Sequence, residues 1–195
     1  RYDVRNENDF TARQAEEYAP HLIPFASVNP KREYAVDEFV RCVELRKMRG
    51  LKVNFGTSDV RLRDPKHLEQ VQTLFAEAAR RNVPVVARVF NEALGDFGTE
   101  DLDILITRVV DPIPGLRLSI AHLGGGGGAL EQGTLRLFAA LIQAVRQRPQ
   151  VAPRVWTDIS SILLTEPRPG LKPISAAQQA ALGMMLKTWG IDRLL

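Results

Sequence analysis

Short apolar runs alternate with longer amphipathic stretches along this 195-residue chain. A near-continuous apolar run is typical of a strand buried on both faces, as in a parallel sheet, and VPVVARVF is the clearest example. The predicted strands are 22–28, 51–55, 83–90, 116–122 and 155–159, and Ile191 begins a sixth. Apolar residues at helical spacing predict helices between them, over 33–49, 64–81, 99–110, 130–148 and 175–189, after a polar, helix-prone segment at 1–20.

Residue types at the helix ends support these boundaries. Asp64 and Pro65 are typical of an N-cap followed by the first helical turn, and Thr99 and Ser175 are predicted caps of later helices. Residues 56–63, just before Asp64, are predicted to form a loop.

Repeated strand–helix units predict parallel strands joined by right-handed crossovers. They lead either to an open doubly wound sheet or to a (β/α)₈ TIM barrel. A complete barrel needs ~250 residues, so this chain would form most of one, a partial barrel whose front is missing. Because the chain stops just after an apolar strand start, we expect residues 1–195 to be one incomplete domain from a longer protein.

Composition narrows the classes of partner. The formal net charge is only +3 and the acidic and basic residues are interspersed, which argues against a nucleic-acid partner. The single Cys42 excludes internal disulfides and a cysteine-based zinc site within this sequence. No run approaches the ~18 apolar residues that span a membrane. We therefore expect a cytoplasmic protein, although a chain that starts at Arg1 without Met says little about targeting.

Polar side chains interrupt the predicted strands near their carboxyl ends, where both architectures place their sites. Strand alternation predicts shared inward faces for Lys52 with Asn54, Val86 with Arg88, Leu118 and Ile120 with His122, and Trp156 with Asp158. Charges within apolar strands are costly unless they are paired. We therefore expect Lys52, Arg88, His122 and Asp158 to converge on one mouth. Alternatively, Lys52 or Arg88 pairs with Asp158 for a purely structural reason.

Five consecutive glycines, Gly124–Gly128, follow His122. They do not form a dinucleotide fingerprint, which needs spaced glycines and a later acidic residue, and the lysine and hydroxyl of a phosphate-binding P-loop are absent. Two interpretations remain. The backbone N–H groups could face an anion near the next helix N-terminus, or the glycines could form a flexible loop. His122, at the end of a strand with this loop behind it, is the first candidate for chemistry.

Several phrases together carry a family resemblance. They are PFASVNP (24–30), GLKVNF (50–55), IAHLGGG (120–126), VWTDISS (155–161) and WGIDRLL (189–195). With them the chain resembles the amidohydrolase-related family of metal-dependent (β/α)₈ barrels, which hydrolyse amide, ester or lactone bonds or decarboxylate aromatic acids without oxidation. The resemblance implies that residues 22–28 form the third barrel strand. The next four predicted strands would be the fourth to the seventh, and IDRLL would lead into the eighth.

The resemblance also implies a site with a divalent metal, most commonly Zn²⁺. A His-x-His pair on the first strand and an Asp on the eighth bind the metal in the family, and both segments lie outside this sequence. The fifth-strand His ligand falls at or next to Arg88, and arginine has no lone pair to give a metal. His122 matches the sixth-strand His that serves as acid, base or electrophile, and Asp158 matches the seventh-strand acid, which is usually structural.

Two functions follow from these residues. In the first, the protein is a metal-dependent hydrolase or decarboxylase of a small carboxylate-bearing substrate, with His122 and Asp158 catalytic and Arg88, Lys52 and Asn54 binding the substrate. In the second, the missing ligand at Arg88 marks a degenerate barrel that binds a small anion without hydrolysis. A structural subunit is a third alternative. The expected partners are a small molecule and a second copy of the chain in a homodimer, since many relatives are dimers.

Overall fold

The computed structural model describes residues 3–90, 97–127, 132–162 and 174–195. Within them, parallel strands form one sheet in which each strand pairs with the next along the chain. The strands are β1 (Phe25–Ser27), β2 (Gly50–Asn54), β3 (Val85–Arg88), β4 (Leu118–Ile120) and β5 (Val155–Thr157). A doubly wound sheet reverses its strand order at a switch point, whereas a barrel adds strands in sequence. The observed order is therefore that of a partial (β/α)₈ barrel, as predicted.

Helices precede, separate and follow these strands. They are α1 (Val4–Glu17), α2 (Ala35–Leu45), α3 (Phe55–Ser58), α4 (Pro65–Arg80), α5 (Thr99–Ile104), α6 (Gln132–Arg146) and α7 (Ala176–Trp189). All of them except α3 fall in segments that were predicted to be helical. The α5 helix continues as a π-helical turn over Leu105–Val110. The described residues contain no helix that is both long and apolar enough to span a membrane.

Strand register divides the side chains of the sheet between two faces. Leu51, Val85, Leu118 and Val155 lie in register on the outer face, each fully buried against the helices. Lys52, Val86, Ser119 and Trp156 lie in register on the inner face, which is the face that a closed barrel encloses. The main core therefore lies between sheet and helices, and it includes an edge-to-face contact of Phe138 with Trp189 at 5.8 Å between ring centroids.

A buried polar network attaches α1 to the free edge of β1. The Asn8 side chain accepts a hydrogen bond from Ser27 N (2.9 Å), and its Nδ2 donates to Ser27 O (3.2 Å) and to Glu38 Oε1 (3.0 Å). Glu38 also receives two hydrogen bonds from the Arg41 guanidinium, at 2.8 Å each. Burial raises the pKa of the Cys42 thiol to about 12, so this group stays protonated and donates to Glu38. Asn8 thus occupies the position of a neighbouring strand beside Ser27.

Several predicted boundaries are wrong. Residues 56–63 begin with α3 and are not wholly loop. Gly98, not Thr99, is the N-cap of α5, and its N–H donates to Asp101 Oδ2 at 2.9 Å. Ile191 opens a 3₁₀ turn, and the first parallel bridge of this segment joins Leu194 to Thr157. The caps predicted at Asp64 and Ser175 are confirmed, because each side chain accepts backbone N–H bonds from its first turn.

Two other predicted segments reach beyond the described residues. The predicted helix at 130–148 starts outside them, and the described part of it, α6, begins at Gln132. Gly128, the last of the five glycines, also lies outside them.

Candidate active site

The five candidate residues lie at one end of the sheet. Lys52 and Asn54 lie on β2, Arg88 ends β3 in register with Asn54, and Asp158 directly follows β5. His122 lies in the 3₁₀ turn after β4, over Ala121–Gly124. The carboxyl ends of parallel strands thus bring together side chains that are far apart in the sequence, as predicted.

His122 reaches this mouth by a route that strand alternation does not give. The register places Ser119 on the inner face, so Leu118 and Ile120 point outward to the helices, and the predicted inward face of these two residues is wrong. The strand ends at Ile120, and His122 (φ 56°) and Leu123 (φ 55°) both adopt left-handed backbone. This turn, not the pleat, determines where the imidazole lies.

Asp158 holds the strained turn in place. Its carbonyl oxygen accepts from Leu123 N at 3.1 Å, and its Oδ1 accepts from His122 N at 3.3 Å. Left-handed conformations at non-glycine residues cost about 1–3 kcal/mol each, and they cluster at functional sites. The strain at His122 and Leu123 is thus an observation that independently singles out the residue chosen from sequence.

The His122 imidazole is fixed through Nδ1. This atom lies 2.8 Å from the Ser160 carbonyl oxygen and 3.1 Å from Ser160 Oγ. A carbonyl oxygen only accepts, so Nδ1 carries the proton in this contact and the neutral ring keeps its lone pair on Nε2. The His122 side chain retains 19% of its exposure, and within the described residues its Nε2 makes no hydrogen bond.

The glycine run packs tightly against this histidine. A Cβ on Gly127 (φ +78°) would lie 3.3 Å from His122 Cδ2, and a Cβ on Gly125 would lie 2.3 Å from Thr134 Oγ1. Arg88 donates from Nη2 to the carbonyl oxygen of Gly126 at 2.7 Å. Gly125–Gly127 therefore pack closely on Thr134 and His122 and form a wall of the site, and the flexible loop stays a prediction.

Two basic groups share the inner face beside these residues. Burial lowers the pKa of Lys52; the nearby Asp158 carboxylate opposes this effect and the Arg88 cation adds to it. Within the part of the chain that the structure describes, Lys52 makes no hydrogen bond or ion pair. A direct ion pair of Lys52 with Asp158 is therefore not observed, and the Lys52 and Arg88 side chains lie near the Asp158 carboxylate on this face.

Asn54 has a local structural role in addition to its position at the mouth. Its side-chain oxygen accepts from Thr57 N at 3.2 Å and caps α3. The side-chain amide nitrogen is then the part of Asn54 that remains suited to contact a bound molecule.

The described residues do not form a metal site on their own. They contain no group of three or more His, Cys, Asp or Glu side chains arranged to hold an ion. The Arg88 and Lys52 cations near His122 and Asp158 also disfavour a divalent cation electrostatically. A metal at this mouth would need donors from other parts of the protein.

Ser160 is the site residue that sequence reasoning missed. It lies within the VWTDISS phrase, yet only the Asp of that phrase received a role. A hydroxyl two residues beyond a strand-end acid was the available signal. Its contact with His122 spans 38 sequence positions and depends on the neighbouring placement of β4 and β5.

Comparison with known proteins agrees with this fold. The amidohydrolase family model matches residues 3–194. A Staphylococcus aureus protein assigned as an amidohydrolase is 16% identical with a TM-score of 0.64, over 98% of this chain and 66% of that one. An amidohydrolase from Burkholderia multivorans with bound zinc is 20% identical with a TM-score of 0.61, over 97% of this chain and 62% of that one.

A third similar structure is an uncharacterised TIM-barrel protein from Bordetella bronchiseptica. It is 18% identical with a TM-score of 0.63, over 96% of this chain and 57% of that one. The chain thus spans 57% to 66% of the length of these three proteins. No curated protein matches the sequence. At such identities the three structures support the partial TIM-barrel fold.

Proposed function

The chain belongs to the amidohydrolase family, and from that premise we propose that the protein cleaves a C–N, C–O or C–C bond in a small carboxylate-bearing substrate. The observation that carries this proposal is the fixed His122 imidazole, with Nδ1 bound to Ser160 O at 2.8 Å, beside the basic Lys52 and Arg88. An oriented proton-transfer group next to an anion-attracting surface is what hydrolysis of such a substrate requires.

His122 is the proposed acid–base group. With Nδ1 protonated, Nε2 can take a proton from the attacking water and return it to the leaving group. Such proton transfer typically contributes about 10²–10⁴-fold to a rate. Asp158 supports this role by holding the turn that carries the imidazole, through its bonds to His122 N and Leu123 N.

Lys52 and Arg88 are the proposed carboxylate-binding groups. A charge-assisted contact to a carboxylate is stronger than a neutral hydrogen bond, and partial burial strengthens it further. Arg88 already donates to Gly126 O, so it would hold the glycine wall and the substrate at once. The Asn54 amide nitrogen completes the proposed contacts, and a homodimer remains the expected assembly.

Metal chemistry enters this proposal only through the family. The Burkholderia multivorans protein holds zinc, whereas the described residues of this chain do not supply three donors. No step proposed for His122, Lys52 or Arg88 runs through a metal. Elemental analysis of the full-length protein measures whether zinc or manganese is present.

The direct test is turnover by the full-length protein on a panel of small carboxylate-bearing amides, esters and lactones. We expect activity that falls at least 100-fold in His122→Ala, while His67→Ala, whose imidazole contacts Arg61 and Asp64 near the start of α4, retains it. A wild-type protein that turns over nothing on the panel would count against an enzyme, as would a His122→Ala variant of undiminished rate.

Substrate charge is tested through Lys52. Because Lys52 makes no hydrogen bond within the described residues, Lys52→Met changes the charge with little disturbance to its surroundings, unlike Arg88→Ala, which also removes the bond to Gly126. We expect KM for carboxylate substrates to rise about tenfold and KM for the matching neutral methyl esters to stay the same. Equal changes for both substrate sets would refute carboxylate recognition.

A second function is favoured by Arg88 itself. An arginine where the family resemblance places a metal ligand fits a barrel that binds a small anion without cleaving it. That function predicts saturable binding of carboxylates by calorimetry, weakened in Lys52→Met, together with no turnover and no bound metal in the wild-type protein.

A further inference from the structure

We propose that Ser160 is the positioning residue of His122, and that it selects the imidazole tautomer with the proton on Nδ1 and the lone pair on Nε2. The kinetic consequence of this selection rests on the proposed function. The tautomer itself does not, because it is a property of the folded protein without substrate.

Two atoms of Ser160 contact the same ring nitrogen. The carbonyl oxygen lies 2.8 Å and Oγ lies 3.1 Å from His122 Nδ1. The hydroxyl has a single proton, and it is committed to Asp158 Oδ1 at 2.5 Å. Both Ser160 atoms are therefore acceptors toward Nδ1, and the contact demands a proton on that nitrogen.

Asp158 acts on the histidine through Ser160. Its Oδ1 accepts from Ser160 N at 3.0 Å as well as from the hydroxyl, so one carboxylate oxygen holds both the backbone and the side chain of Ser160. The direct distance from Asp158 Oδ1 to His122 Nδ1 is 3.5 Å, which is long for a hydrogen bond. The same Oδ1 accepts from His122 N at 3.3 Å, which fixes the two contacting segments to each other.

Selection of the tautomer matters for the chemistry of the ring. A neutral imidazole can carry its proton on either nitrogen, and only the nitrogen without the proton can act as a base. With Ser160 in place, Nε2 is that nitrogen. In Ser160→Ala the carbonyl oxygen remains an acceptor for Nδ1. The second acceptor and the hydroxyl bond that anchors Ser160 to Asp158 are lost, so the share of the Nδ1–H form falls and the other tautomer becomes populated.

The test reads the tautomer directly. We would label the histidines of the full-length protein with ¹⁵N, assign His122 by the signals lost in His122→Gln, and record long-range ¹H–¹⁵N correlations of its neutral ring. We expect the Nδ1–H form in the wild type, a mixture of tautomers in Ser160→Ala, and recovery of the Nδ1–H form in Ser160→Thr, which keeps the hydroxyl. Ser161→Ala, the neighbouring serine, is the matched control and should resemble the wild type.

Two NMR outcomes would overturn the proposal. One is an Nε2–H tautomer in the wild type. The other is an unchanged Nδ1–H tautomer in Ser160→Ala, since the Ser160 hydroxyl would then not select it.

Kinetics separate this proposal from the proposed function. If both the role of Ser160 and the proposed function hold, Ser160→Ala lowers kcat by about 10- to 100-fold, the size of effect seen when groups that orient a functional imidazole are removed. KM stays within about twofold of the wild-type value. Ser160→Thr restores kcat. The expected tautomers in a protein that turns over no substrate would support the role of Ser160 and refute the proposed function. Turnover by the wild-type protein, together with an unchanged tautomer in Ser160→Ala, would support the proposed function and refute the role of Ser160.

Discussion

Gly127 is the residue at which a single added methyl group would most directly disturb the His122 ring. Its φ of +78° is strained for any side chain, and its Cβ would lie 3.3 Å from the imidazole. We expect Gly127→Ala to lower the free energy of unfolding by about 1–2 kcal/mol, measured by urea denaturation, and to lower any activity that depends on His122.

Gly133, in α6, is the matched control for that substitution. A Cβ there would meet no atom within 4 Å, and the backbone is helical. Gly133→Ala should therefore raise the free energy of unfolding by about 0.5–1 kcal/mol, because alanine is the better helix former. If both variants were destabilised equally, the contact of Gly127 with the ring would not explain its effect.

The lowered pKa of Lys52 predicts that the stability of the fold depends on pH in the alkaline range. Burial lowers its pKa in the folded state below the ordinary value of 10.5. The folded protein then disfavours the charged form, so its stability is reduced below the folded pKa and rises as pH increases toward 10.5. We expect Lys52→Met to be more stable than the wild type at neutral pH and this difference to narrow at alkaline pH, measured by urea denaturation across that range. A difference that stays constant with pH would contradict the lowered pKa.

At the residue scale, the sequence was enough to name five of the residues that lie at the mouth but not to orient them all. Lys52 and Arg88 follow the strand pleat, so alternation locates them correctly, and Asp158 lies one residue beyond β5, near Lys52. His122 does not follow the pleat, because β4 ends at Ile120 and two left-handed residues follow. A consecutive pair of positive φ values at His and Leu has no sequence signature, because it is held by the distant Asp158.

At the element scale, the junction of α1 with α2 depends on a buried carboxylate. Burial raises the pKa of Glu38, but hydrogen bonds from Arg41, Asn8 and Cys42 outweigh it and hold the pKa at about 2, against an ordinary 4.5. A lowered pKa stabilises the fold fully above pH 4.5, and the contribution is lost as pH falls through about 2. Its upper limit is about 3 kcal/mol.

Glu38→Gln tests that contribution. We expect the variant to be less stable than the wild type at pH 7, and the difference in free energy of unfolding to shrink as pH falls below 4.5. Asp37→Asn changes the exposed acid one residue earlier in the same turn and should show little of either effect. A difference for Glu38→Gln that persisted undiminished to pH 3 would contradict the lowered pKa of Glu38.

Element boundaries were predictable where a local residue determines them and not elsewhere. Asp64 and Ser175 are confirmed caps because a side chain bonding its own first turn is a local event. At α5, Asp101 also bonds within its own first turn by accepting from Gly98 N, but its carboxylate is held as well by Arg63 Nη2 at 2.7 Å, 38 positions away, which no local pattern encodes. The Ile191 segment forms a 3₁₀ turn where a strand was predicted. Just before it, the Trp189 ring at the end of α7 packs on Phe138, a contact that no local pattern encodes.

At the scale of the whole molecule, the sequential strand order defines a barrel wall whose two faces differ. The outer face is sealed by helices, whereas inner-face residues such as Val86 and Trp156 are only partly buried by the described residues. Alternation of strand and helix was sufficient to predict this architecture, since parallel βα units allow few others. The similar structures are longer than this chain, and how far the inner face is enclosed in the protein is open to measurement.

Val86 and Val85 offer an isosteric test of that enclosure. They are adjacent on β3, with Val85 fully buried on the outer face and Val86 partly buried on the inner face. Replacing valine with threonine keeps the shape and adds a hydroxyl, which costs about 1–3 kcal/mol in a closed apolar site and little where water reaches it. Val85→Thr should lower the free energy of unfolding by this amount whether or not the barrel is closed. If the full-length protein closes the barrel, Val86→Thr should lower the free energy of unfolding by a similar amount, whereas a change below about 0.5 kcal/mol would mean that water still reaches the inner face beside Lys52.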